Sequence, residues 1–303
     1  MKGTIYLTGH AHIDLSWLWP REETIHEICP RTFSSALSLM KKYPSLKFCQ
    51  SSAQVYEWME SYYPEIFEGI KKKVEEGKWE IVGGSWTEHN ANIPCGESLI
   101  RQYLFGKRYF MEKFGVDVET AWLPDTFGFC WSLPQILKKC GIDCFLTYKL
   151  KWQIERMRPP IPFPYYLFWW QSPDGSKVLA CHTVGSYSER LDHRYADIMM
   201  LSQIEELKRV HGIDQLLILF GLGDHGGGPT EDMIVKASEL KKREGYPQIR
   251  FSTSREYLEK ILSTADEEKL PTVNDELYVK THRGTLTTEA MMKRENRRCE
   301  VLL

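Results

Sequence analysis

The segment His10-Ala11-His12-Ile13-Asp14 sets an imidazole and a carboxylate one residue apart. In extended backbone that spacing points both side chains to one side, so His12 and Asp14 can share one divalent cation. His10 has the same parity and is a candidate further ligand or orienting partner. The alternative is a pair of hydrogen-bonded histidines at a strand end, and spacing alone balances the two. Asp125 stands between Pro124 and the run Thr126-Phe127-Gly128-Phe129, at the end of an apolar strand. A carboxylate there costs free energy unless it is paired, hydrogen-bonded or metal-bound. A helix N-cap is the weaker account, because the next helical pattern begins eight residues later, near Leu133. Asp224 and His225 lie in the glycine-rich stretch Gly221–Thr230, where an aspartate is commonly turn chemistry, although the adjacent histidine makes a polar cluster. The stretch lacks the Gly-Lys-Ser/Thr ending of a phosphate loop. Eight cysteines (29, 49, 95, 130, 140, 144, 181, 299) are scattered without a CxxC pair, which fits buried reduced thiols rather than a metal cage.

Short apolar runs that read as strands position these residues: Thr4–Leu7, Leu46–Ser51, Trp79–Val82, Glu119–Leu123, Cys144–Tyr148, Val178–Cys181, Leu216–Phe220 and Ile249–Ser252. Amphipathic helical stretches lie between them: Glu22–Lys42, Tyr56–Glu76, Ser98–Phe114, Leu133–Lys139, Ala196–His211, Glu231–Arg243 and Ser254–Thr264. Strand–helix alternation with internal apolar strands predicts an α/β fold, a parallel sheet flanked by helices. Seven or eight such units favour a closed β/α barrel with outer helices over an open sheet. No GxGxxG follows the first strand. In such barrels the loops after the strand C-termini share one face. The polar segments follow the first, third, fourth and seventh strands: His10–Asp14 with Trp17 and Trp19, Gly83–Asn92 with Glu88 and Asn92, Pro124–Phe129, and Gly221–Thr230. Four loops converging on one face argue for a site rather than for packing.

The chain has 303 residues, with 39 Lys+Arg against 41 Asp+Glu and a net charge of −2. That charge offers no basic excess for nucleic acid. No apolar run reaches the roughly 18 residues that span a bilayer, and the first residues lack the apolar core of a signal peptide. No nucleic-acid or membrane partner and a cytoplasmic location are therefore expected. Ten Trp and 15 Tyr, many in apparent loops, suit a pocket whose flat apolar faces stack on sugar rings, besides filling a core. Near residue 275 the alternation stops and a charged helical run, Glu289–Leu303, follows. The expected division is a barrel over residues 1–275 and the truncated start of a helical-bundle domain over 276–303.

Taken together, the segments resemble glycoside hydrolase family 38, the metal-dependent α-mannosidases, in its bacterial and cytosolic-type branch. The matches are HAHIDLSWLWP (10–20), FCQSSAQVYEWME (48–60), GGSWTEHNANIPCGESLIRQYLFGKRYF (83–110), WLPDTFGFCWSLPQIL (122–137), FLTYKLKW (145–152), FWWQSPDGSKVLA (168–180), GDHGGGPT (223–230) and THRGTLTTEAMMKRENRR (281–298). The resemblance implies a seven-stranded barrel holding Zn2+, or another divalent cation such as Co2+. It makes His12, Asp14 and Asp125 metal ligands and Asp125 also the nucleophile. Asp224, with His225, falls where the family carries acid/base residues. Glu88, Asn92, Trp17 and Trp152 match substrate-binding positions. The implied reaction is hydrolysis of terminal α-mannosides in glycans or glycosides with retention, through a covalent glycosyl-aspartate.

Two departures accompany the resemblance. Glu88-His89-Asn90 stands where the family often has Glu-Pro-Asp. A fourth metal ligand, a histidine in an HDxxxG context beyond the barrel, has no counterpart before Leu303, and His282 belongs to a different motif, HRG. The second hypothesis is accordingly an incomplete or subunit barrel, inactive as an isolated chain, that needs a second chain or a homo-oligomer. A third is a metal-dependent carbohydrate deacetylase, in which Asp125 would be a base toward water.

Overall fold

The computed structural model describes residues 3–153, 163–264, 267–279 and 282–302. In chain order the elements are β1 (Thr4–His10), α1 (Arg21–Glu23), a π-helical turn (Thr24–Ile28), α2 (Cys29–Lys42), β2 (Phe48–Gln50), α3 (Ala53–Tyr62), α4 (Pro64–Glu75), β3 (Trp79–Ile81), α5 (Gly96–Phe114), β4 (Thr120–Trp122), β5 (Gly128–Phe129), α6 (Leu133–Lys139), β6 (Cys144–Thr147), a 3-10 segment (Lys149–Gln153), β7 (Leu167–Gln171), β8 (Lys177–His182), α7 (Ala196–His211), β9 (Gln215–Phe220), α8 (Glu231–Leu240), β10 (Gln248–Phe251), α9 (Ser254–Thr264), a 3-10 turn (Glu267–Lys269), β11 (Thr272–Val273), β12 (Leu277–Tyr278), another 3-10 turn (Arg283–Leu286) and α10 (Ala290–Leu302). Each of the eight expected strands has an observed counterpart. The chain forms two compact units, one of Met1–Val82 with Thr183–Lys269, the other of Gly83–His182 with Leu270–Leu303.

The first unit is built on β1, which is buried along nearly its whole length. One edge pairs in parallel with β9 from Thr4 to Gly9. The other edge is shared: β10 takes Thr4–Leu7 and β2 takes Gly9–His10, with β3 beyond β2. A strand covered on both faces and both edges favours apolar side chains: Ile5 and Leu7 are fully buried, and the buried polar Thr8 and His10 each bond a backbone carbonyl. Phe33, Phe48 and Trp79 fill the space under the helices, with Trp79 lying 5.6 Å and 4.6 Å from the other two rings. The expected helix over 56–76 is two helices, α3 and α4, because Pro64 cannot continue the hydrogen-bond ladder.

The second unit carries a sheet in the order β11-β7-β8-β6-β4 and a two-stranded ribbon of β12 and β5. Its core gathers Leu123, Phe129, Phe145, Trp170 and Val178. The α/β fold with parallel sheets and outer helices is as expected, but the closed seven-stranded barrel is not: among the described residues the strands fall into separate sheets and no barrel closes. The physical reason is β7, an unforeseen strand that folds back antiparallel on β8 and then takes β11 at its far edge. That hairpin occupies the edge of β8 that a further parallel strand would need. No described helix is long and apolar enough to cross a membrane.

Candidate metal and catalytic site

In the first unit the loop after β1 and the loop after β9 are laced together by backbone. Ile13 bridges His225 in antiparallel sense, Asp14 N donates to Asp224 O at 3.1 Å, and Gly226 N donates to His12 O at 3.2 Å. The second loop folds on itself through reciprocal bonds between Leu222 and Gly228, at 2.8 and 2.9 Å. Gly221 permits this close approach: its φ is +146°, and a Cβ there would lie 2.2 Å from the His10 carbonyl oxygen. Asp224 itself has φ of 67°, a left-handed conformation that aspartate tolerates better than most residues. Tyr187 holds three of the polar groups. Its carbonyl accepts from His10 Nδ1 at 2.9 Å, its ring meets His12 edge-on at 5.0 Å, and its hydroxyl donates to Asp224 Oδ1 at 2.8 Å. Asp224 Oδ1 also stands 3.4 Å from His12 Nδ1.

His10 is fully buried. Burial, with a smaller repulsion from His12, pushes its pKa down to about 3, so the ring is neutral at pH 7. Because a carbonyl only accepts, its proton sits on Nδ1. His225 Nε2 pairs with Glu23 at 2.8 Å, and its ring lies 3.9 Å from that of Trp19. Trp19 Nε1 donates to Thr24 Oγ1 at 3.1 Å. Trp17, 64% exposed, touches Trp19 edge-on.

In the second unit Asp125 follows β4 by three residues, and side chains hold its loop. Glu88 Oε1 accepts from the backbone N–H of Asp125 at 2.6 Å and of Thr126 at 3.1 Å. Thr126 Oγ1 donates to His89 O at 3.1 Å. Lys149, two residues past β6, brings Nζ to 2.6 Å from Asp125 Oδ1, with the side chains 4% and 17% exposed respectively. An ion pair this shielded is strongly interdependent: removing one partner strands the other's charge. Lys149 Nζ also lies 5.5 Å from the centre of the Phe127 ring, which packs against His282 at 4.4 Å. Asn92 Nδ2 approaches Gly128 so closely that a Cβ there would come within 2.7 Å of it.

The residues singled out by sequence thus divide between the units: His12, Asp14, Asp224, His225 and Trp17 in the first, Glu88, Asn92 and Asp125 in the second. The side chain of Trp152 lies outside the described residues. Two residues were missed. Lys149 carried a usable signal, a charged side chain just past a fully buried strand, the same placement that drew attention to Asp125. Tyr187 carried none, since nothing in Ser186–Arg190 distinguishes it from an ordinary loop.

This fold and these loops are those of a known class. The model of the glycosyl hydrolases family 38 N-terminal domain matches residues 2–276, and the chain belongs to that family. It is 41% identical over 99% of its length to alpha-mannosidase G of Dictyostelium discoideum, covering 26% of that protein. It is 39% identical over 99% of its length to alpha-mannosidase 2C1 of Homo sapiens, covering 28% of that protein. The chain therefore spans about a quarter of the length of these relatives. Among solved structures, an alpha-mannosidase from Enterococcus faecalis shares the fold with a TM-score of 0.75 at 24% identity, over 91% of this chain and 31% of that one.

Proposed function

We propose that this chain is the catalytic domain of an α-mannosidase that removes terminal α-linked mannose from glycans or glycosides with retention, Asp125 being the nucleophile. The observation that carries this is the shielded Asp125–Lys149 pair on a loop whose backbone Glu88 fixes, in a chain of the family whose named relatives are α-mannosidases. An Asp125 oxygen attacks the anomeric carbon while the bond to the leaving oxygen breaks, and a second carboxyl group protonates that oxygen. Water then attacks the glycosyl-aspartate, gives its proton to the same group, and releases Asp125. Lys149 fixes the attacking carboxylate and compensates its charge. Trp17, Glu88, Asn92 and Trp152 are proposed to surround the sugar, Glu88 acting through the Asp125 backbone it holds.

We further propose that His12, Asp14 and Asp125 hold one divalent cation, Zn2+ or Co2+. The donor set fits: imidazole and carboxylate are both zinc ligands, and three protein ligands leave a further position open. His12 has the carboxylate of Asp224 beside one ring nitrogen, the usual way a metal-binding histidine is oriented. When bound, the cation supplies Lewis-acid attraction for the sugar hydroxyls. Asp224 is the candidate for the acid/base, with His225 the alternative. A second role for Asp224, orienting His12, is favoured by its contacts with Tyr187 and His12. Residues 276–303 are read as the start of a helical domain, and the protein as cytoplasmic. A ligand from outside these residues would complete the metal's coordination, a second chain or another copy of this one being candidate sources.

The test is release of aryl alcohol from an aryl α-mannoside by the zinc-loaded protein, its chelated form and Asp125→Asn. Turnover lost in both of the latter supports the proposal, and turnover surviving either sinks it. Asp224→Asn separates the two roles of that residue. An acid/base role removes one limb of the pH–rate profile at full metal occupancy, whereas an orienting role lowers occupancy.

A further inference from the structure

A second cleft, of about 410 Å³, opens in the first unit beside β1 and β10. Its walls carry Lys47, Lys241, Arg250 and Lys260 against a single carboxylate, Glu256. Glu256 is already matched by Lys47 in an ion pair, so the cleft holds a net charge of +3 on a chain whose own net charge is −2. Neither the Nζ of Lys241 and Lys260 nor the guanidinium of Arg250 has a carboxylate partner among the described residues. The second observation lies in the lining. Ser252 is 2% exposed and its Oγ is buried without a hydrogen-bond partner among the described residues. A buried hydroxyl is ordinarily satisfied, and this one belongs to a residue in the wall of a cationic cleft.

We propose that this cleft binds the phosphoryl group of a small phosphorylated molecule. The guanidinium of Arg250 offers a planar pair of donors suited to phosphate oxygens. The ammonium groups of Lys241 and Lys260 supply further charge, and the Ser252 hydroxyl donates the bond it otherwise lacks. The volume exceeds what a bare phosphate fills and falls within the range of small-molecule sites, so the rest of the ligand has room beside the anion. A polyanion is disfavoured, because the chain as a whole carries a net charge of −2 and no basic excess. The cleft is also separate from the catalytic loops. Tyr6, which lines it, is six residues from His12, or about 20 Å of extended chain.

Isothermal titration of chelator-treated protein at fixed ionic strength provides the test, with inorganic phosphate, a hexose 6-phosphate and the unphosphorylated hexose as probes. The two phosphorylated probes should each bind at one site per chain, and the free hexose should not bind. Binding should weaken about tenfold or more in the double variant Arg250→Gln/Lys260→Gln and about threefold in Ser252→Ala. Both of the double variant's positions are exposed, so its melting temperature should match the parent's, and Lys241→Gln is the substitute if it does not. Absence of saturable binding overturns the proposal. So does binding that ignores these substitutions but is lost in Asp125→Asn. Tighter binding of a single-stranded oligonucleotide than of either small probe would replace it with a polyanion site.

Discussion

The two units hold their chemistry by different means. In the first, His12 and Asp14 sit on a loop that backbone hydrogen bonds fasten to the Asp224 loop, and a glycine allows the two to approach. In the second, Asp125 is held by side chains, Glu88 on its backbone and Lys149 on its carboxylate. A backbone-fastened loop tolerates side-chain change outside its glycines. A side-chain-fastened loop depends on particular charged residues, and its failures should be electrostatic.

Lys149→Met should break the second arrangement most severely. It removes the ammonium 2.6 Å from the shielded Asp125 carboxylate, at a cost of up to about 3–5 kcal/mol, read as a lowered midpoint in urea. Glu88→Ala should come next, because it strips the acceptor from two backbone N–H groups, at about 1–3 kcal/mol each. Glu88→Gln keeps a carbonyl acceptor in place and should recover most of that loss. If alanine and glutamine behave alike, Glu88 does not act through the Asp125 backbone.

Gly221→Ala probes the first unit. A methyl group driven toward the His10 carbonyl, at a φ that L-residues rarely adopt, should cost about 1–3 kcal/mol. Metal affinity should fall with it, while Asp224→Asn should leave stability nearly unchanged. The reverse order would mean that side chains fasten this loop as well.

Much of this was legible in the sequence. The strands β1, β2, β3, β4, β6, β8, β9 and β10 are apolar runs between turn residues, and the polar segments at their ends gave His12, Asp14 and Asp125. The strand β7 was not read, although Gln171-Ser172-Pro173-Asp174-Gly175 between two apolar runs is a hairpin signal; weighing it would have argued against a closed barrel. The π-helical turn at Thr24–Ile28 has no local mark, nor does the role of Tyr187, whose partners lie as far as 177 residues away. Contacts at such separations are set by tertiary packing, which periodicity does not encode.

The smallest expected effect concerns α10. Glu300 accepts from Cys95 N at 2.9 Å and Ser98 Oγ at 2.8 Å, at the start of α5. The Cys95 backbone bond, helped by Arg297 and Ser98, lowers its pKa to about 2 from an ordinary 4.5. The stabilisation is therefore present above pH 4.5 and is lost as pH falls toward 2. Amide exchange in α10 should quicken across that window, and Glu300→Gln should flatten the dependence. An α10 indifferent to both would leave Glu300 a surface residue.

The most direct test of the central claim is to trap the reaction part-way. Zinc-loaded protein is incubated with a fluorinated mannosyl donor that slows hydrolysis of the glycosyl-enzyme, digested, and mapped by mass spectrometry. One mannosyl label on the peptide containing Asp125, absent after chelation and in Asp125→Asn, is the predicted result. Turnover of mannosides with no label, or with the label on another residue, would contradict it.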